Sequence, residues 1–204
     1  MYIAINVRMS KTRKEEYAEA TRAALLDSGR ALFAEHGYHN TSVDEICRHA
    51  RVTKGALYHH YRNKEDLFAD LVESLEASFV DDVTSNVETG RDLWSALLGG
   101  IDMFLDHCTD PAYRRIVLVD APTVLGPRRL AEIGERTASG LLNTLFDGLM
   151  AEGAIARQPV DILVRLFLSV LVEGGLLIGE SKRPKKTKQD VRAMITRFLD
   201  ALKT

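Results

Sequence analysis

The chain reads as an all-α protein of about nine helices. Three observations predict this. Apolar residues recur at spacings of three and four along nearly the whole length, the period of a helix with one buried face. Runs of β-branched residues at strand period are few. Proline is scarce, five in 204 residues, and it falls mostly between the periodic segments.

A first helix covers about residues 14–35 and is stopped by His36-Gly37, because glycine takes the left-handed cap that other residues resist. Ser42 with Glu45 three residues on forms a capping box that starts a second helix. Val43, Ile46, Cys47 and Ala50 then share one face as a buried seam. Ala50-Arg51-Val52 makes a turn, and Thr53 caps a third helix. Ala56, Leu57 and Tyr61 point back at the seam. Thr53, Lys54, Gly55, Tyr58, His59 and His60 are left facing outward: a polar, cationic, aromatic face with few negative charges. That is the character of a helix whose partner is the major groove of DNA.

Lys54 can meet a phosphate or a guanine edge, and Gly55 lets the backbone approach closely. Tyr58, His59 and His60 offer donors and flat surfaces at phosphate height. Asn63 caps a fourth helix and brings Lys64 into its first turn, where helix dipole and side-chain charge both favour a phosphate. This helix runs to about residue 83 through Leu67, Phe68, Leu71, Val72, Leu75 and Phe79, long enough to span from an N-terminal head to the body.

Residues 87–90 read as a loop. A fifth helix carries Leu93, Leu97, Leu98, Ile101, Phe104, Leu105 and Cys108. Thr109-Asp110-Pro111 breaks it and starts a sixth with Tyr113, Ile116, Val117 and Val119. Ala121-Pro122 and Gly126-Pro127 bracket a non-helical connector containing Val124 and Leu125. A seventh helix is expected from residue 128 to about 152, stopped by Gly153. Pro159 sits in the first turn of an eighth that runs to about residue 180. Residues 181–188 read as a basic loop, and an amphipathic ninth helix covers 189–202.

Charge is unevenly divided. Residues 1–64 hold 11 Lys/Arg and 7 Asp/Glu, a net +4, whereas residues 65–204 hold 16 and 22, a net −6. A basic head on an acidic body is the footprint of a DNA-binding segment on a soluble carrier. Arg8, Lys11, Arg13 and Lys14 precede the first helix, as a flexible tail or as an arm for the minor groove. Met1–Met9 is too short and mixed for a signal peptide, Met9 offers an alternative start, and no apolar run near 18 residues is expected. A cytoplasmic protein with no membrane partner is expected. Cys47 and Cys108 form no disulfide framework and no metal spacing, and each lies among apolar residues as a buried thiol.

The head resembles the DNA-binding domain of the TetR family of bacterial transcriptional regulators. The resemblance runs from Leu25-Leu26-Asp27-Ser28-Gly29-Arg30-Ala31-Leu32-Phe33 to Gly37-Tyr38. It continues through Thr41-Ser42-Val43, Ile46, Val52-Thr53-Lys54-Gly55-Ala56-Leu57-Tyr58, Tyr61 and Asn63-Lys64-Glu65-Asp66-Leu67. It implies an all-helical homodimer with residues 15–64 as a helix-turn-helix domain and residues 65–204 as an effector-binding and dimerisation domain. Residues 1–14 are then a basic arm. By the resemblance, Thr53, Lys54, Gly55, Tyr58, His59, His60 and Lys64 fall on positions that touch DNA, and Thr41 and Ser42 fall where the backbone is contacted. Two residues depart from the family pattern: Cys47 replaces alanine, and Arg51 replaces a glycine whose turn position needs a positive φ, at roughly 1 kcal/mol.

Gly174-Gly175 inside the apolar eighth helix costs about 1 kcal/mol per glycine relative to alanine, which close packing of another helix would justify. Pairing the last two helices with those of a second copy, as the family implies, suggests a dimer seam of Phe167, Val170, Leu171, Gly174, Gly175, Ile178, Ile195, Phe198 and Leu202. A cavity among the fifth to eighth helices would be lined by Trp94, Met103, Phe104, His107, Tyr113, Phe146 and Phe167 and would take a small apolar or aromatic effector.

The expected function is a repressor released from a palindromic double-stranded DNA operator by such an effector. An activator, or a ligand-independent dimer of the same fold, is the alternative. An enzyme is disfavoured because no nucleophile–base pair, carboxylate pair, zinc spacing or phosphate-binding glycine loop is present, and neither cofactor nor metal is expected. A helical interaction module without DNA binding is the third class. Intact Lys54-Gly55, Tyr58 and Lys64 argue against it.

Overall fold

The computed structural model describes residues 12–86 and 92–204; the expected arm up to residue 11 and the loop at 87–90 lie outside the described residues. Helix α1 (Arg13–His36) begins with a capping box, in which the Glu15 amide donates to Thr12 Oγ1 and the Thr12 amide donates to the Glu15 carboxylate. It ends at Gly37, whose φ of 80° lets its amide bond the Phe33 carbonyl at 2.9 Å. Helix α2 (Val43–Ala50) has the expected Ser42–Glu45 box. The turn after it carries Arg51 at φ 56°, ψ 39°, the only non-glycine residue with positive φ among those described. Thr53 Oγ1 accepts from the Ala56 amide to cap α3 (Lys54–His60), and Asn63 Oδ1 accepts from the Asp66 amide to cap α4 (Lys64–Asn86).

These helices close a small core. Leu25, Phe33, Ile46, Leu57, Leu67 and Phe68 are fully buried, and Phe33, Tyr38 and Phe68 form an aromatic cluster with centroids 4.9–5.7 Å apart. Cys47 lies in this seam, where burial raises its thiol pKa above the ordinary value.

The body contains α5 (Leu93–His107), α6 (Pro111–Tyr113), α7 (Ala121–Arg136), α8 (Ala138–Ala151), α9 (Val160–Glu180) and α10 (Pro184–Asp200). Several boundaries differ from the sequence expectation. The sixth helix starts at Pro111, but from Arg114 to Asp120 it is wound as a π-helix. The expected non-helical connector is helical from Ala121 to Leu125, and the backbone leaves the helix at Gly126 (φ 70°, ψ 170°), the residue before Pro127, where proline disfavours an α conformation. The expected seventh helix is two, because Thr137 at φ −127°, ψ −118° separates α7 from α8. Nothing in the side-chain pattern announces that break. The basic loop is shorter than expected, since Pro184 sits at the first turn of α10.

Helix α9 overturns the expectation that no apolar run nears 18 residues. It is long and apolar enough to cross a bilayer, with a mean hydropathy of 2.1 over its best 18-residue window, which Arg165 and Glu173 conceal from a search for an uninterrupted run. Here it packs on α5, α8, α10 and the π-helical stretch. Gly174 and Gly175 explain that packing. A β-carbon on Gly174 would lie 2.7 Å from Val191 of α10, and one on Gly175 would lie 2.6 Å from the Cys108 sulfur.

Candidate nucleic-acid interface and interior cavity

Helix α3 presents the outward set that its sequence suggests. Thr53, Lys54, Gly55, Tyr58 and His59 are exposed, with Tyr58 53% accessible despite its size, and His60 is half-buried beside Tyr61. A β-carbon on Gly55 would meet only Thr53 Oγ1, at 3.8 Å, so nothing within the chain demands glycine there. Lys54 forms a 2.7 Å ion pair with Asp44 of α2, which raises its pKa. Both partners stand in solvent, where such a pair is weak and readily exchanged for a phosphate. Ser42 is exposed at the start of α2, but its hydroxyl is engaged with Glu45.

Two expected contact residues face inward. Thr41 is 1% exposed and its hydroxyl donates to the Gly37 carbonyl at 2.9 Å. The Lys64 ammonium donates to the Tyr38 and Thr41 carbonyls, both at 2.7 Å, and lies 4.1 Å from the centre of the Tyr38 ring. Burial lowers its pKa. In this structure both side chains brace the α1–α2 connection instead of projecting from the head. Sequence reasoning missed this because a lysine in the first turn of a helix is ordinarily solvated.

The head is fastened to the body by polar links along α4 and the α1–α2 connection. Tyr61 Oη donates to Asp70 at 2.6 Å, and Arg22 of α1 holds the same carboxylate through Nε at 2.8 Å. Arg129 of α7 donates to Glu65 at 3.1 Å and Asp66 at 2.8 Å, and Arg136 pairs with Glu73 at 2.7 Å. Asp120, at the end of the π-helical stretch, accepts from the Tyr38 amide at 2.9 Å.

A half-open cavity of about 800 Å³ lies in the body. Phe79, Val80 and Val83 of α4 contribute to its wall, together with Ile101, Val117 and Leu130. Of the residues expected to line it, Phe104, Tyr113 and Phe167 do so. Trp94, Met103, His107 and Phe146 do not. Trp94 lies beneath the Lys203 ammonium, Met103 packs on the core, His107 stacks edge-on against Tyr113 at 4.4 Å, and Phe146 is fully buried against Phe167. Aromatic type alone does not separate cavity wall from core.

The charged and amide members of the wall, Glu76 and Asn143 among them, were missed altogether. Glu76 of α4 belongs to the cavity wall, and its Oε2 accepts from Thr137 Oγ1 at 2.7 Å. Burial raises its pKa above the usual carboxylate range, and nearby Glu73 adds to this against the opposing hydroxyl. The sequence did hold a signal: Glu76 lies four residues after Val72 and three before Phe79, inside the apolar stripe of α4.

The expected dimer seam is corrected by burial. Phe167, Leu171, Gly174, Gly175, Ile178 and Ile195 are buried within one protomer and so lie out of reach of a second copy. Val170 and Leu202 are half-buried, and Phe198 is exposed. The open apolar face of α9 and α10 consists of Ile162, Leu166, Leu177, Met194 and Phe198. Among the described residues, no group of three His, Cys, Asp or Glu is placed to hold a metal ion.

Comparison with known proteins agrees at both ends of the chain. Residues 25–71 match the family model described as bacterial regulatory proteins, tetR family, and residues 94–202 match the tetracyclin repressor-like C-terminal domain. The chain is 40% identical to the HTH-type transcriptional regulator AcrR of Shigella flexneri, covering 92% of each. It is 31% identical to the transposon Tn10 TetC protein of Escherichia coli, covering 77% of this chain and 79% of that protein. The crystal structure of the TetR-family transcriptional regulator ECA1819 from Pectobacterium atrosepticum superposes with a TM-score of 0.75 at 30% identity, over 95% of this chain and 98% of the other.

Proposed function

The chain belongs to the TetR family of bacterial regulatory proteins, and from that premise we propose that it is a homodimeric, cytoplasmic repressor released from a palindromic operator by a small effector with a large apolar part. Regulators of this family bind DNA as dimers and take ligands in the C-terminal domain. The observation that carries the reading is the solvent-facing surface of α3. Lys54, Gly55, Tyr58 and His59 are exposed there, on a helix packed against α1 and α2. The proposed head comprises residues 15–64, with α4 leading into the effector and dimerisation body.

Each half-site is read by one α3, and a twofold pair spans two half-sites about 34 Å apart. The open face of Ile162, Leu166, Leu177, Met194 and Phe198 is the surface we assign to the second copy. The effector occupies the cavity of the body. Helix α4 forms part of the cavity wall through Phe79 and Val83, and its first turn is held to α7 by Arg129. A ligand that separates α4 from α7 therefore re-aims the head. It shifts the equilibrium only by the difference in its affinity for the two arrangements.

The test is the double variant Lys54→Ala/Tyr58→Ala, titrated with an operator duplex at two salt concentrations. Loss of specific binding by a folded dimer is expected, with a shallower salt dependence as a phosphate contact disappears. Unchanged affinity and slope would refute the assignment of α3.

A further inference from the structure

A second half-open cleft, of about 820 Å³, opens where the end of α5, the residues around α6, the last turn of α9 and the first turns of α10 meet. It shares no lining residue with the larger cavity. Four basic and two acidic side chains line it. Both carboxylates are engaged: Asp102 accepts from Arg192 at 2.8 and 3.1 Å, and Asp106 pairs with Lys188. The other two cations, Arg114 and Lys185, have no ion pair or side-chain hydrogen bond among the described residues.

Arg114 is not a loose surface arginine. It is half-buried, and its side chain lies across Gly179 in the last turn of α9. A β-carbon on Gly179 would lie 2.7 Å from its Nε and would overlap its Cδ and Nη1 as well. The missing side chain at 179 therefore makes the groove in which the guanidinium rests. A planar fork of five donors, partly withdrawn from water and given no acceptor, suits an anion. The Lys185 amide adds a donor to the same wall, because Pro184 has no amide proton and the first turn of α10 closes only with the bond from Thr187 to the Arg183 carbonyl.

We infer that this cleft is a second ligand site of the body, one that takes a phosphate group, either as the free ion or as a monoester. Charge selects phosphate over carboxylate. Two cations stand unmatched, and a phosphate monoester carries close to two negative charges at neutral pH on three acceptor oxygens, whereas a carboxylate carries one. Arg114 meets the phosphate with its fork and Lys185 with a point charge. The bound group ties the π-helical stretch after α6 to α10. That end of the body also meets the head: α6 packs on α1, and Asp110 accepts from Arg30 at 3.4 Å. Occupancy of the cleft therefore bears on the junction of head and body by a route separate from the α4 wall of the larger cavity.

Calorimetric titration of the full-length protein, without DNA, compares inorganic phosphate, phenyl phosphate and benzoate. Saturable binding of phosphate is expected, at least about tenfold tighter than that of benzoate. Phenyl phosphate binding more tightly than inorganic phosphate identifies a monoester as the ligand; otherwise the free ion is the ligand. Arg114→Gln should weaken phosphate at least about tenfold, and Gly179→Ala, which displaces the Arg114 side chain, by a similar factor. Lys185 is exposed, so Lys185→Gln leaves the fold intact and should weaken phosphate severalfold. Arg128→Gln removes an arginine outside the cleft and should change nothing. No phosphate binding, benzoate bound as tightly as phosphate, or wild-type affinity in both Arg114→Gln and Lys185→Gln would overturn the inference. A loss in Arg128→Gln equal to that in Arg114→Gln would also overturn it, by assigning the effect to overall charge. None of these readouts involves an operator, so the DNA-binding reading stands or falls separately.

Discussion

Gly55→Ala separates a fold requirement from a DNA requirement at one atom. In the free protein the added methyl meets nothing closer than Thr53 Oγ1 at 3.8 Å, and residue 55 is exposed. Alanine is preferred over glycine within a helix by up to about 1 kcal/mol. For a chain of this size that raises the melting temperature by up to about 4 °C. If α3 enters the major groove by its first turn, the same methyl projects into the place where backbone and DNA approach. A misfit methyl in a close-packed contact costs about 1–3 kcal/mol, roughly five- to hundredfold in affinity. Melting of the free dimer by calorimetry and fluorescence anisotropy on an operator duplex measure the two effects separately. The expected result is a variant that is at least as stable yet binds DNA more weakly. Equal or tighter DNA binding would refute the assignment of Gly55 to the interface.

Four further outcomes follow from the geometry. Lys64→Met removes two charged hydrogen bonds to the Tyr38 and Thr41 carbonyls, so the melting temperature should fall, by an amount set by about 1.5–3 kcal/mol per bond less what water restores; an unchanged value would mean that the clamp carries no stability. Arg51→Gly relieves a left-handed residue at φ 56° and should stabilise the head by about 1 kcal/mol, with unchanged operator affinity unless Arg51 touches a phosphate. Leu166→Glu places a charge on the open apolar face of α9 and should yield a monomer in analytical ultracentrifugation, with loss of tight operator binding; a persistent dimer would move the interface elsewhere. Glu76→Gln should stabilise the ligand-free protein in a pH-dependent way. The folded pKa of Glu76 is raised, so as pH climbs above the ordinary carboxylate value the unfolded chain releases a proton that the folded chain keeps. Wild-type stability falls across that window and levels off above the folded pKa, so the advantage of the variant should grow and then plateau in melts taken across pH.

The head was legible because its signals are local. Ser42–Glu45, Thr53 and Asn63 are caps that act within three residues, and the strain at Arg51 follows from one turn position. The body was less legible because its deciding features are tertiary. The break at Thr137 involves a hydrogen bond to Glu76, 61 residues earlier, and the π-helical stretch has no local marker. Gly174 and Gly175 did announce close packing, but a glycine cannot say whether the approaching helix belongs to its own chain. Lys64 was placed on the correct helix and given an external role because its carbonyl acceptors lie 23 and 26 residues away.

Whether this chain reads DNA sequence as a twofold dimer is tested by selection of random duplexes on the purified protein. Enrichment of a palindrome whose half-sites are centred about one helical turn apart is expected. Failure to enrich any motif at low salt, with a folded dimer demonstrated in parallel, would contradict it.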